Sequence, residues 1–218
     1  MKTKILLLVT IISLKGFSQD TIKIINTHSQ IFSLSPISKK VDKVNGLVIG
    51  VGHFEEINLQ KQTVNGINIE ISPLIFALPY FAIYRFGTGF KKIDEDIKFQ
   101  SAVENKIKIN GFNASTGGFM DGADVNGVNI STFTFINDLN GVSISPGITN
   151  IYKLNGLSFA FNNTIRFQNG ISVGVINECQ VLKGLQIGLY NRSYKSQKGF
   201  QLGIWNKNSK RSFPLINW

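Results

Sequence analysis

Side chains able to carry covalent or proton-transfer chemistry are few in this chain, and they do not converge. The carboxylates gather at Glu55-Glu56 and Asp94-Glu95-Asp96, with Asp121, Asp124 and Asp138 farther on. Cleaving a glycosidic bond needs two carboxyl groups held across it at a set separation. These acids recur at no common spacing, so they build no acidic stripe, and an adjacent pair such as Glu55-Glu56 reads as a solvated loop. The run Asp121-Gly122-Ala123-Asp124-Val125-Asn126 offers oxygen ligands, but it is shorter than a calcium-binding EF-hand loop and lacks the closing glutamate. Turn chemistry accounts for Asp, Gly and Asn at such a place. His28 and His53 have no ligand-spaced partner. Cys179 alternates with the apolar Val175 and Val181 and reads as a buried small hydrophobe. As the single cysteine, it excludes an internal disulfide framework. No phosphate-binding glycine loop leads into a helix, and no basic-aromatic pattern suggests nucleic acid. No catalytic residue, metal or cofactor is expected; the chain reads as a non-enzyme.

Charge is the exception. The formal net charge is +10, and setting aside Lys2, Lys4 and Lys15 leaves +7. That excess lies in residues 183–218, which hold seven basic residues and no acid, while 19–182 balance. A local excess points to an edge, a cap or a docking patch rather than to nucleic acid. Arg192, Lys195, Lys198, Lys207, Lys210 and Arg211 are therefore the candidate contacts, with an anionic glycan or envelope surface as the expected partner.

What positions these residues is a repeat. Asn-Gly stands at 45–46, 65–66, 110–111, 126–127, 140–141, 155–156 and 169–170, and Lys-Gly continues at 183–184 and 198–199. From Gly111 the glycines follow at intervals of 16, 14, 15, 14, 14 and 15 residues. Each opens a similar phrase, as in GVNIS, GLSFAF and GLQIGL. Residues then alternate with period two, the signature of half-buried strands. Taking the apolar parity as inward predicts a buried row of Leu157, Ile171 and Leu185, with Ser158, Ser172 and Gln186 pointing out. A second asparagine follows seven residues after the glycine, at 163, 177, 191 and 206.

The expected fold is all-β, a parallel β-solenoid of coils about 14–15 residues long, each glycine stacking on the one before. The alternative is an antiparallel meander or small β-barrel with Asn-Gly as hairpin turns. The second asparagine weighs against the barrel, where it would fall mid-strand and leave a costly unpaired amide.

The first 18 residues resemble a secretory signal: a basic start, an apolar run over Ile5–Leu14, and Gly16-Phe17-Ser18 at the expected cleavage point. No cysteine lies there, so a lipid-anchored terminus is not expected. Residues 19–218 then read as one repeat domain, interrupted at about 67–109 by an insertion containing PLIFALPYFAIY (73–84). That stretch is too short to span a bilayer as a helix.

The phrases GLQIGLYN and GFQLGIWN, with the ending KRSFPLINW, resemble the exported surface-repeat proteins of Gram-negative bacteria, including relatives of the leptospiral surface-repeat lipoproteins. LSPISKKVDKVNGLVIGVG and STGGFMDGADVNGVNIS are similar to that group too. The resemblance implies export and residence in the periplasm, in the outer membrane or at the cell surface. It brings no activity, cofactor or catalytic residue. The sequence thus reads as an exported structural or binding module. A small outer-membrane barrel protein and a polysaccharide-active solenoid enzyme are the alternatives.

Overall fold

The computed structural model of the chain describes residues 28–51, 61–71, 107–119 and 123–218. The leader, the acids at 55–56 and 94–96, Asp121, His53 and the run 73–84 lie outside the described residues. In chain order the strands are β1 (His28–Ser35), β2 (Val41–Gly50), β3 (Gln62–Glu70), β4 (Ile107–Ser115), β5 (Gly118–Phe119), β6 (Ala123–Ser131), β7 (Thr134–Gln197), β8 (Phe200–Lys207) and β9 (Ser212–Asn217). The long β7 passes through four repeats and includes Gly141, Gly156, Gly170 and Gly184.

Register settles the architecture. Asn45-Gly46 pairs in parallel with Asn65-Gly66, that pair with Asn110-Gly111, then with Asn126-Gly127 and Asn140-Gly141. Farther on, Leu185, Ile187 and Asn191 lie beside Phe200, Leu202 and Asn206. This is a parallel β-solenoid, and consecutive Asn-Gly pairs share one edge instead of alternating between the ends of a meander. Only β9 runs antiparallel, folding back on β8. Residues 67–70 and 107–109, at the margins of the sequence-level insertion, are strand and continue the stack.

Glycine is required at the corner for two reasons. At Gly156 φ is 141°, a conformation that side chains rarely adopt. A Cβ there would also lie 2.0 Å from the carbonyl oxygen of Gly141 in the coil below. The coils stack so closely that only a hydrogen fits between them.

Each coil has two unlike halves. The back half, before the glycine, buries aliphatic side chains two residues upstream of it: Val44, Val64, Ile109, Val125, Leu139, Leu154 and Leu182. With Ile136, Ile151, Ile165 and Cys179 they form the apolar core. The front half, after the glycine, is the reverse of the expected arrangement. Ser158, Ser172 and Gln186 are fully buried, while Leu157, Ile171 and Leu185 are half-buried on the outer surface. The outer parity also carries the exposed Ile69, Ile130, Ile144, Phe159 and Ile187. Alternation correctly marked a strand, but hydrophobicity misassigned its inner side, because buried polar groups here satisfy one another.

Two amide ladders run along the stack. On the outer corner the Nδ2 of Asn65, Asn110, Asn126, Asn140 and Asn155 each donates to the Oδ1 of the preceding asparagine at 2.7–2.8 Å. Asn169 continues the row at 3.1 Å. In the interior, Asn163, Asn177 and Asn191 donate to the asparagine of the following coil at 2.8, 2.8 and 2.7 Å. Their second amide hydrogens go to the carbonyls of Val173, Ile187 and Leu202. Alternation restarts at this corner: Asn162, Asn163, Thr164 and Ile165 are all buried in succession. Asn163 can therefore lie inside although it shares the parity of the outward Leu157.

The two ladders should respond differently to mutation. Asn177→Leu orphans the Asn163 donor and the Asn191 acceptor inside the fold, at about 1–3 kcal/mol for each group. Asn140→Ala leaves its neighbours open to water and should cost under ~1 kcal/mol. Denaturant unfolding of both variants checks this, and equal losses would refute a ladder hierarchy.

Candidate functional site

The six candidate cations are placed by the last two coils and their closing hairpin. Arg192 in β7 and Lys207 in β8 are register partners, so they stand one above the other. Lys195 is exposed on β7, and Lys198 is exposed in the link to β8. Lys198 donates its backbone N–H to the Leu182 carbonyl at 2.7 Å, which sets it on the coil above Lys183. Lys183 and Lys198 thereby continue the column that the corner asparagines occupy in earlier coils. Of the candidates, Arg192 and Lys207 form one column, Lys198 extends the corner column after Lys183, Lys195 stands on β7, and Lys210 and Arg211 lie in the closing hairpin.

Asn208 builds the tip. Its Oδ1 accepts from the backbone N–H groups of Lys210 and Arg211 at 2.9 and 2.8 Å. Lys210 is exposed there. Arg211 is engaged within the chain: its Nε donates to Asn217 Oδ1 at 2.9 Å and its Nη2 to the Trp218 carbonyl at 2.6 Å. Its guanidinium also lies 4.2 Å from the centre of the Trp218 ring. Arg192 lies 4.0 Å from the centre of the Tyr194 ring. Arg211 therefore braces the end of the fold while itself exposed, and Lys195, Lys198, Lys207 and Lys210 are the exposed cations among the candidates without such a brace.

Charge counting alone missed the aromatic company. Trp205, Phe213, Leu215 and Trp218 are exposed beside these lysines. The signal was legible as Tyr190 and Trp205, which occupy the same place in successive repeats and are register partners. The neighbouring acid, Glu178, is buried and accepts a hydrogen bond from the Tyr194 hydroxyl at 2.8 Å. Burial first, and the Glu178 carboxylate second, push the Tyr194 hydroxyl above its usual range.

Other candidate chemistry is dispersed. Among the described residues no group of three or more His, Cys, Asp or Glu could hold a metal ion. Asp124 is half-buried in strand β6 rather than in a turn, and one of its carboxylate oxygens accepts the Asp138 backbone N–H of the stacked strand β7 at 3.3 Å. His28 is exposed at the first strand. Cys179 is fully buried, and burial pushes its thiol up to about 12, so it is protonated and inert at neutral pH.

That thiol gives the fold an alkaline limit. An unfolded cysteine ionises near pH 8.5, well before the buried one. Stability from the neutral thiol is then complete below that point and is lost as pH rises towards about 12. Melting temperatures measured from pH 7 to 11 should fall less steeply for Cys179→Ala than for the parent chain. Parallel slopes would show that the thiol does not set the limit.

Comparisons with protein-family models, with curated proteins and with solved structures find no match to this chain.

Proposed function

We propose that the chain is an exported, non-enzymatic binding module of the cell envelope. The solenoid is a rigid spacer, and its carboxy-terminal coils make the contact with an anionic surface. One observation carries the reading: seven basic residues and no acid occupy 183–218. Coils are about 4.8 Å apart, so stacked cations such as Arg192 and Lys207 lie well within a screening length of ~8 Å and act as one field. The export expectation rests on the leader.

Lysines at a terminal coil can also serve to discourage edge-to-edge pairing. Here β9 already covers β8, with Gln201 opposite Asn217 and Lys207 opposite Ser212. The open edge is therefore that of β9, which carries no lysine, so the exposed lysines do not stand on it and are available for docking.

Reversing Lys195, Lys198, Lys207 and Lys210 to glutamate tests this. The parent chain should be retained by immobilised alginate and by vesicles rich in phosphatidylglycerol at ~20 mM salt, and released from the alginate at ~500 mM, where screening shortens to ~4 Å. The reversed variant should fold normally and lose retention on alginate. A parent chain that ignores both polyanions at low salt would end the docking proposal.

A further inference from the structure

The outer surface of the front half is apolar from one end of the stack to the other. Take the first and third positions after each corner glycine, with Phe32 and Leu34 leading the rows beside Leu47 and Ile49. Across the coils from Gly46 to Gly199, every residue at these positions is aliphatic or aromatic. Parallel register sets them side by side: Ile69, Ala114, Ile130 and Ile144 are successive neighbours, as are Ile187 and Leu202. No charge interrupts either row. With ten strands ~4.8 Å apart and ~7 Å from first to third position, the two rows cover roughly 43 by 7 Å, on the order of 300 Å² in projection. A soluble monomer can leave that much bare, and it is the unbroken continuity of the rows that sets them apart.

What could cover it is narrowed by area and charge. A stable protein–protein interface takes about 800 Å² from each partner, more than this face supplies to a second copy. Charge also disfavours self-association. A parallel pairing sets the cationic carboxy-terminal coils against each other. An antiparallel pairing sets them against the end that carries Lys39, Lys40 and Lys43 with the single acid Asp42, which is still net basic. A lipid leaflet meets neither objection. The last coil of the rows carries the exposed Trp205 and Lys207, and β9 continues the face by placing Ile216 opposite Leu202, two residues before the exposed Trp218. Aromatic side chains beside lysines are the pairing that suits the boundary between headgroup and acyl chain. The rim is the asparagine ladder, neutral and rich in hydrogen-bonding groups, as a headgroup layer requires.

We infer that this face lies flat on an anionic lipid bilayer, its apolar rows seated among the outer acyl segments and its carboxy-terminal lysines on the headgroup phosphates. The inference rests on the docking function proposed above and specifies its partner as membrane lipid rather than polysaccharide.

The experiment separates the two ideas. The chain from Gln19, which keeps every described strand and omits the apolar leader, is mixed with phosphatidylcholine vesicles at ~500 mM salt, where charge attraction is screened. It should float with the vesicles. Both tryptophans of the chain, Trp205 and Trp218, should be quenched by lipids brominated near the headgroup. The triple variant Ile130→Asp, Ile144→Asp, Ile187→Asp changes only outward side chains. It should lose roughly tenfold or more of its partition, yet remain bound to alginate at low salt. The four-lysine reversal should do the opposite. Two results would overturn the inference while leaving charge docking intact: a parent chain that binds alginate but neither floats nor is quenched, or a stable dimer of the parent that the triple variant dissolves. Quenching is read on the parent chain, so the inference can fail even if the triple variant misfolds.

Discussion

Hydrogen bonds between side-chain amides, passed from coil to coil, decide which way the other residues face. A parallel stack places identical positions one strand spacing apart, so an interior asparagine meets its own copy above and below. That copy is a complete partner, with a donor for each acceptor. Asn163, Asn177 and Asn191 donate to the next copy and give a second hydrogen to a carbonyl, and Asn206 ends the row by accepting from Asn191 and donating to the Gly203 carbonyl. Gln186 and Gln201 repeat the solution nearer the glycine, and Asn217 of β9 closes the row by donating to Gln201. Once polar groups satisfy each other inside, burial no longer requires an apolar side chain. The front half of the coil is then free to turn its isoleucines and phenylalanines outward.

Where a ladder partner is missing, the arrangement changes in a definite way. Asn68 donates to Asn113, and Asn113 to Asn129, but the preceding coil has Val48 at that place. The row therefore starts at Asn68, whose Oδ1 is left without a partner in the interior. In the following coils Ser143 takes over and the network closes through Thr134 and Ser145. The two asparagine ladders also point in opposite senses. The outer one donates towards the amino terminus, the inner one towards the carboxy terminus, so their amide dipoles oppose each other. The outer row ends at Asn169 with an acceptor towards the next coil, where Lys183 stands. A cation is the side chain that the end of such a row favours.

Much of this was legible in the sequence, because stacking copies a residue's environment from coil to coil. The Asn-Gly repeat fixed the corner, its spacing fixed the coil, and the second asparagine at 163, 177, 191 and 206 argued for a solenoid over a barrel. Cys179 is buried, as its apolar neighbours suggested. The inner side of the front strands was not legible. Alternation reports that two faces differ, and only partner geometry reports which one is wet. Leu157 and Ser158 give the same periodic signal whichever points inward. The shift of phase at Asn162–Ile165 was equally hidden, since a corner that turns several consecutive residues inward leaves no mark on a period-two count.

This inversion bears on how such a protein can stay dispersed before it docks. An outward apolar row is usually a hazard, and a parallel stack adds unpaired backbone at both ends. The carboxy-terminal end is closed by β9, whose reversed direction stops the parallel stack from continuing, and the braces from Arg211 to Asn217 and Trp218 hold that strand in place. Among the described residues, the inward polar side chains of the front half are occupied in the ladders and do not neutralise the face. Net positive charge then opposes contact between copies at long range, and in the lipid docking proposed above it would also draw the molecule to an anionic leaflet. On that proposal the same lysines discourage self-association and guide the apolar face to lipid, so an uncharged carboxy-terminal end would forfeit both effects together.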